Sequence, residues 1–215
     1  MNGKKIKSIL ESNTTGQIYS VQGWVRTFRA NRFIALNDGS TIENLQCIVD
    51  FEKLDESVLK QITTGAALRL IGKLLVSKGI GQSVELEVSN LIILGSSDPK
   101  QYPIQPKKHS LEFLREKAHL RFRTNTFSAI FRLRHALTFA VHKFFNDKGF
   151  LNLHTPIITG ADAEGAGEIF QVTNLDLENL PKTADGKIDF ESDFFGSKTN
   201  LTVSGQLEAE LGALA

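Results

Sequence analysis

Cysteine is almost missing from this chain. Cys47 is the only one, which excludes an internal disulfide and any metal site built from several thiolates, and it fits a reducing compartment. The five histidines are scattered without ligand spacing, so no metal site is expected. No apolar run approaches the roughly 18 residues of a membrane span. The start, MNGKKIKSILES, carries lysines but no apolar stretch behind them, so it does not read as a secretory signal; a cytoplasmic protein without a membrane partner is expected. The glycines of residues 160–167 lack the spacing of a nucleoside-triphosphate phosphate loop, and there is no repeat or low-complexity tract. Strong charge of one sign is also lacking. The net charge is +1, split between a mildly basic first half, +4 over residues 1–110, and an acidic second half, −3 over 111–215. Such a first half suits contact with phosphate without establishing it.

What is present first is a run of strand signals. From Gln17 to Arg29, Val21, Gly23, Val25 and Thr27 alternate with Gln22, Trp24, Arg26 and Phe28, the period of a half-buried strand. Phe33 to Asn37 forms a second strand, closed by the Asp38-Gly39 turn signal. Asn44 to Phe51 forms a third, with Leu45, Cys47 and Val49 on one face and Gln46, Ile48 and Asp50 on the other. A helix is expected at 4–12 and another over 53–63, then two strands, Ala66 to Ser77 and Gln82 to Leu94. Three strands, a helix and two strands within about 100 residues is the order of a five-stranded OB-fold barrel; another small barrel without a ligand is the plainer alternative. Trp24 is expected in the core. Phe33 reads as a core ring or as a solvent-facing platform, Gln46 as a solvated strand residue or as an edge reader, and Arg26 as a surface charge or as a ligand contact.

Proline is scarce, and three of the five fall in residues 95–110, GSSDPKQYPIQPKKHS. Such a segment stays extended and makes poor core. It marks the boundary of a domain 1–98, a linker 99–118 and a second domain 119–215. After a short helix at 111–119, residues Asn125 to Lys148 read as one long amphipathic helix. Phe127, Ile130, Phe131, Leu137, Val141, Phe144 and Phe145 fall at helical spacing, with Thr124 or Asn125 as cap and Gly149 as stop. An extended apolar run, Phe150 to Ile158, is interrupted at Pro156. Next come Asp162, Glu164 and Glu168 among small residues, and Leu201-Thr-Val-Ser-Gly-Gln-Leu-Glu-Ala-Glu210. By themselves these carboxylates fit an acidic surface loop and a solvated edge.

Taken together, DAEGAGEIFQV, DLENLP, DFFG and LTVSGQL resemble the class II aminoacyl-tRNA synthetases, closest to the bacterial asparaginyl branch, over essentially the whole chain. The resemblance implies an α+β protein: a five-stranded OB-fold barrel that binds the anticodon loop of tRNA, followed by the beginning of an antiparallel-sheet catalytic domain, with residues 174–200 as a family insertion. It implies ligation of asparagine to its tRNA through an asparaginyl-adenylate. Phe33 matches the ring that stacks on the middle anticodon base, Gln46 the amide that reads its edge, and Arg26 a polar position on the same strand face. Glu164, Ser204 and Gln206 match the amino-acid pocket, with Glu208 and Glu210 following. The related aspartate enzymes carry a lysine near this last stretch, and residues 206–210 have none, which favours a neutral amide substrate over a carboxylate. Pro156 ends the first class motif, and with Phe144 on the preceding helix it implies a homodimer interface. The second motif, with an FRxE arginine, and the glycine-rich third lie beyond residue 215 in this family. They supply most contacts to ATP and magnesium, so residues 1–215 alone are expected to be inactive. A non-catalytic nucleic-acid-binding module and an aspartate-type ligase are the alternatives.

Overall fold

The computed structural model describes residues 3–79, 81–161 and 169–215. Five strands close a barrel in the order β1-β2-β3-β5-β4: β1 Ile18–Arg29, β2 Phe33–Asn37, β3 Leu45–Ile48, β4 Ala67–Val76 and β5 Val84–Gly95. All pairs are antiparallel except β3 with β5, where Cys47 faces Leu86 and Ile48 faces Glu87. That topology is the OB-fold expected from the strand signals. The barrel is filled by the inward half of each alternating pattern: Val21, Val25, Ile34, Leu36, Leu45, Cys47, Val49, Leu68, Leu70, Leu74 and Leu86 are all at most 1% exposed. Closing the barrel leaves no unpaired edge among these strands.

The expected helix over 53–63 is not one helix. A 3-10 turn at Phe51–Lys53 and a four-residue helix, α2 at Glu56–Leu59, take its place. Leu54 and Leu59 still pack against the core and Ile62 is buried, so contact with the barrel, not helix propensity, holds this segment. The first helix, α1 at Ile6–Ser12, plugs the barrel with Ile6 and Ile9, both fully buried.

Helix α1 lacks a cap of its own, because Lys5 offers no side-chain acceptor. Its first amides are taken from a distant turn. The Ile6 amide donates to Asp38 Oδ2 at 3.0 Å and the Lys7 amide to Ser40 Oγ at 3.0 Å. Burial pushes the Asp38 carboxyl upward, but hydrogen bonds from Ser40 and from the Ile6 amide, with Lys5 nearby, outweigh it and leave the carboxyl below its usual range. A carboxyl lowered in the fold adds stability above the ordinary Asp value of about 3.9 and loses it as pH falls through the lower folded value. Asp38→Ala should therefore cost about 1 kcal/mol at pH 7, and the gap to the parent should close in acid. Urea midpoints of both proteins at pH 7 and below pH 3 measure this; a gap that stays constant with pH would show that the carboxylate is not the cap.

Compact units divide the chain at 138/139. The reason lies in a small second core: Ile104, Leu114 and Phe127 pack with Tyr102, Phe113, Leu120 and Phe131. This ties the linker and the short helix α3, Leu111–Glu116, to the start of the long helix α4, Asn125–Asp147. Thr124 caps α4, its Oγ1 accepting from the Phe127 amide at 3.3 Å. Gly149 ends it at φ 83°. The Phe150 amide reaches back to the Phe145 carbonyl at 3.1 Å and the Gly149 amide to Asn146 at 3.0 Å, and the Phe145 and Phe150 rings meet edge-on at 5.5 Å, which is a complete glycine stop with its apolar contact.

In the second unit the apolar run after α4 forms no strand until β6, Ile158–Thr159. Phe150, Leu151, Leu153 and Ile157 stay exposed. The sheet is small and antiparallel, ordered β6-β8-β7, with β7 at Gln171–Val172 and β8 at Thr199–Leu201. The segment between β7 and β8 is held by buried Asp193, whose Oδ1 accepts from the amides of Asn174 at 3.0 Å and Phe194 at 2.7 Å.

Candidate functional site

Ile34, Leu36, Leu45 and Cys47 point into the barrel, so the period of two sends Phe33, Ala35, Gln46 and Ile48 outward. The register pairs Arg29 with Phe33, Phe33 with Ile48 and Ala35 with Gln46. Phe33 and Gln46 are thus diagonal neighbours on one face, roughly 7–8 Å apart at the backbone. Ala35, between them, leaves the floor low. Phe33 is half-buried, not a core ring, and the Arg32 guanidinium lies 5.9 Å from its ring centre. The turn leading into it holds Ala30 and Asn31 at φ 51° and 49°, a left-handed region that alanine rarely occupies. Behind this face, burial pushes the Cys47 thiol up, so it is a packing residue and not a nucleophile.

Arg26 does not join Phe33 and Gln46. The β1–β2 register slips between Val25 and Thr27, and Arg26 is the extra residue of that bulge. Its Nη2 donates to Asn125 Oδ1 at 3.2 Å. Burial is the main influence lowering its pKa; Tyr102 opposes that and Arg123 adds to it. The bulge also inverts the parity downstream, so Phe28 packs on the core while Arg29 pairs with Phe33. Arg29 is therefore the arginine on the Phe33 face. The signal was apolar Phe28 followed by charged Arg29, which breaks the alternation begun at Val21.

Trp24 is not in the core either. It is 37% exposed, with the Arg123 guanidinium 4.5 Å above its ring. It lines a cleft of about 690 Å³ together with Arg26, Tyr102, Arg123, Arg132 and His135.

In the second unit, Glu164 lies outside the described residues. Ser204 and Gln206 are adjacent, the Gln206 amide donating to Ser204 Oγ at 3.1 Å. Gln206 opens a helix, α5 at Gln206–Ala213, so Glu208 and Glu210 are helical residues and not strand-edge ones. The Gln206 Nε2 donates to Glu210 Oε1 at 2.9 Å. Its amide oxygen is an acceptor by chemistry. Phe144 is 58% exposed and Pro156 is exposed; Leu133, Leu137, Phe139 and Val141 are exposed too, so most of the apolar surface of α4 is uncovered. Among the described residues no group of three His, Cys, Asp or Glu side chains could hold a metal, and no helix is long and apolar enough to cross a membrane.

Residues 110–206 match the family model described as tRNA synthetases class II (D, K and N). The chain is 57% identical to an asparagine–tRNA ligase of Cytophaga hutchinsonii over 216 residues, covering 98% of this chain and 47% of that protein. It is 55% identical to the asparagine–tRNA ligase of Azobacteroides pseudotrichonymphae, covering 100% and 47%. Among solved structures, the asparaginyl-tRNA synthetase of Pyrococcus horikoshii complexed with asparaginyl-adenylate superposes with a TM-score of 0.75 at 19% identity, over 100% of this chain and 46% of that one. A putative aspartyl-tRNA synthetase from Leishmania major gives 0.72 at 18%, over 99% and 40%; at such identities the likeness is one of fold. The chain spans about half the length of the curated relatives it matches. Over essentially its whole length the chain is similar in sequence to about half of each of these asparagine–tRNA ligases, and similar in fold to solved asparaginyl- and aspartyl-tRNA synthetases.

Proposed function

We propose that this protein acts in ligating asparagine to its tRNA through an asparaginyl-adenylate, as a cytoplasmic homodimeric enzyme using ATP and magnesium. The observation that carries this reading is 57% identity to an asparagine–tRNA ligase along essentially the whole chain. The barrel, residues 1–98, is the anticodon-binding domain. Phe33 offers a ring for a base to stack on, Gln46 an amide for that base's edge, and Arg29 and Arg32 charge for the backbone around it. The exposed phenylalanines of α4, with Phe144, and Pro156 beyond it, belong to the dimer interface, since apolar surface of this extent suits a buried contact.

Residues 119–215 open the catalytic domain. There Glu164, Ser204 and Gln206 line the amino-acid pocket. The amide of Gln206, its Nε2 held by Glu210, turns its oxygen to accept from an N–H of the substrate. No lysine stands in residues 206–210 to meet a side-chain carboxylate, so the amide of asparagine is preferred over aspartate. Activation of a carboxylate by ATP relies on positioning and charge stabilisation, and none of these residues is a general base.

The test is amino-acid-dependent pyrophosphate exchange by the full-length protein. Asparagine should support it and aspartate should not. Glu164→Ala should lower kcat/KM for asparagine about 10–100-fold, the worth of a hydrogen bond to a charged group, and leave anticodon stem-loop binding unchanged. An unchanged kcat/KM removes Glu164 from the pocket, and exchange with aspartate at the asparagine rate removes the amide preference.

A further inference from the structure

The cleft beside the barrel is a second concentration of positive charge, separate from the Phe33 face. Arg26, Arg123 and Arg132 all line it, with His119 and His135 near them. Each guanidinium is held in place by a neutral group. Arg26 donates to the Asn125 amide oxygen at 3.2 Å and Arg132 to the Gly39 carbonyl at 2.6 Å. Arg123 donates to the Tyr102 hydroxyl at 3.4 Å and lies over Trp24. Among the described residues no carboxylate lies within ion-pair distance of any of the three, and no Asp or Glu lines the cleft. Fixed guanidiniums without counter-charge are built for an anion such as a phosphate. Arg132, His135 and Phe122 are open to solvent, so a long ligand can enter from the side.

We infer that this cleft holds the sugar–phosphate backbone of the same RNA whose anticodon loop lies on Phe33; the inference rests on the tRNA reading proposed above. The geometry sets the span. Trp24 pairs with Asn37 and Arg29 with Phe33, so the cleft and the stacking ring sit at opposite ends of the β1–β2 ladder. Four residues of β2 separate them, roughly 13 Å. That is too far for the bases stacked on Phe33 to reach, and short enough for the adjoining strand of the same RNA. The contact is to phosphate, so it carries affinity and orientation, not base choice.

The experiment titrates the 215-residue chain with four probes: a heptanucleotide with the anticodon-loop sequence, the anticodon stem-loop, an unmodified whole tRNA transcript, and free ATP. Arg132→Gln and Arg123→Gln should each weaken the whole transcript about tenfold and lower its log–log salt slope by about one, while heptanucleotide affinity stays the same. Arg132→Glu, at an exposed position outside the buried cores, should weaken it further. The stem-loop locates the phosphate: a loss equal to that of the transcript puts it in the stem, and no loss puts it beyond. Equal transcript affinity and salt slope in all three variants would overturn the inference. So would a matching loss of heptanucleotide binding, or of free ATP binding, since the cleft would then serve the loop or a mononucleotide. If the parent chain binds none of the RNAs, or Phe33→Ala binds the heptanucleotide like the parent, the anticodon reading fails and not the cleft alone.

Discussion

Gly72→Ala should be the most damaging single methyl in the barrel. Gly72 lies on β4 where the ladder with β5 shifts register between Ile71 and Gly72, and the two backbones come together there. A Cβ at this position would overlap the Glu87 carbonyl oxygen and sit 2.8 Å from its carbonyl carbon and 2.9 Å from the Val88 Cα. All three are backbone atoms of the paired strand, so no side chain can swing away, and relief requires the strands to part. Overpacking of this kind costs about 3 kcal/mol, which for a chain this size is a fall in Tm of roughly 10 °C. Gly95→Ala is the control on β5, because its nearest neighbour, the Ala67 Cβ, is at an ordinary 3.8 Å; it should stay within about 0.5 kcal/mol of the parent. The only tryptophan, Trp24, lies on β1 of the same barrel, so its fluorescence follows the unfolding directly. Equal midpoints for the two variants would mean that β4 and β5 are not packed this closely.

Phe33→Ala and Gln46→Ala should both impair RNA binding, and in different ways. Removing the ring removes a stacking platform worth about 1–3 kcal/mol per base and indifferent to which base it carries. Every anticodon stem-loop should then weaken by a similar factor, between about fivefold and a hundredfold. Removing the amide deletes an edge contact. Gln46→Ala should therefore cost the cognate middle base more than a substituted one, and the two stem-loops should come closer in affinity. Arg29, in register with Phe33, should behave like neither. Arg29→Gln should lower the salt slope by about one without changing the preference among bases. Neither Phe33 nor Gln46 is buried, so these variants keep the barrel intact and the binding data report on the face itself. If Phe33→Ala binds all stem-loops like the parent, the ring is not a stacking platform.

The barrel was legible from local signals. Alternation in residues 17–51 and 66–94 named the strands, because an inward side chain every second residue is dictated by the pleat and needs no knowledge of partners. Asp38-Gly39 announced a turn, and Gly149 a helix end, because each residue's own conformational preference settles the matter. The same period put Gln46 on the face opposite Leu45, Cys47 and Val49, whereas Phe33 stood open between core and surface until the β2–β3 register placed it outward. What the sequence could not decide were features set by distant pairing. The bulge at Arg26 exists because β1 must pair with both β2 and β4, and it moved Arg26 to the cleft and brought Arg29 to Phe33. Trp24, read as core, lies under Arg123 from a segment about 100 residues away. The cap of α1 comes from Asp38, 32 residues along the chain, where no capping pattern near Lys5 could reveal it. Residues 53–63 carry a helical apolar period but are held as two short turns by the barrel floor, since a helix this short depends on tertiary contact. Side-chain period and turn chemistry are properties of a few consecutive residues and survive in the sequence; register, bulges and borrowed caps are properties of two segments at once, and only the closed barrel fixes them.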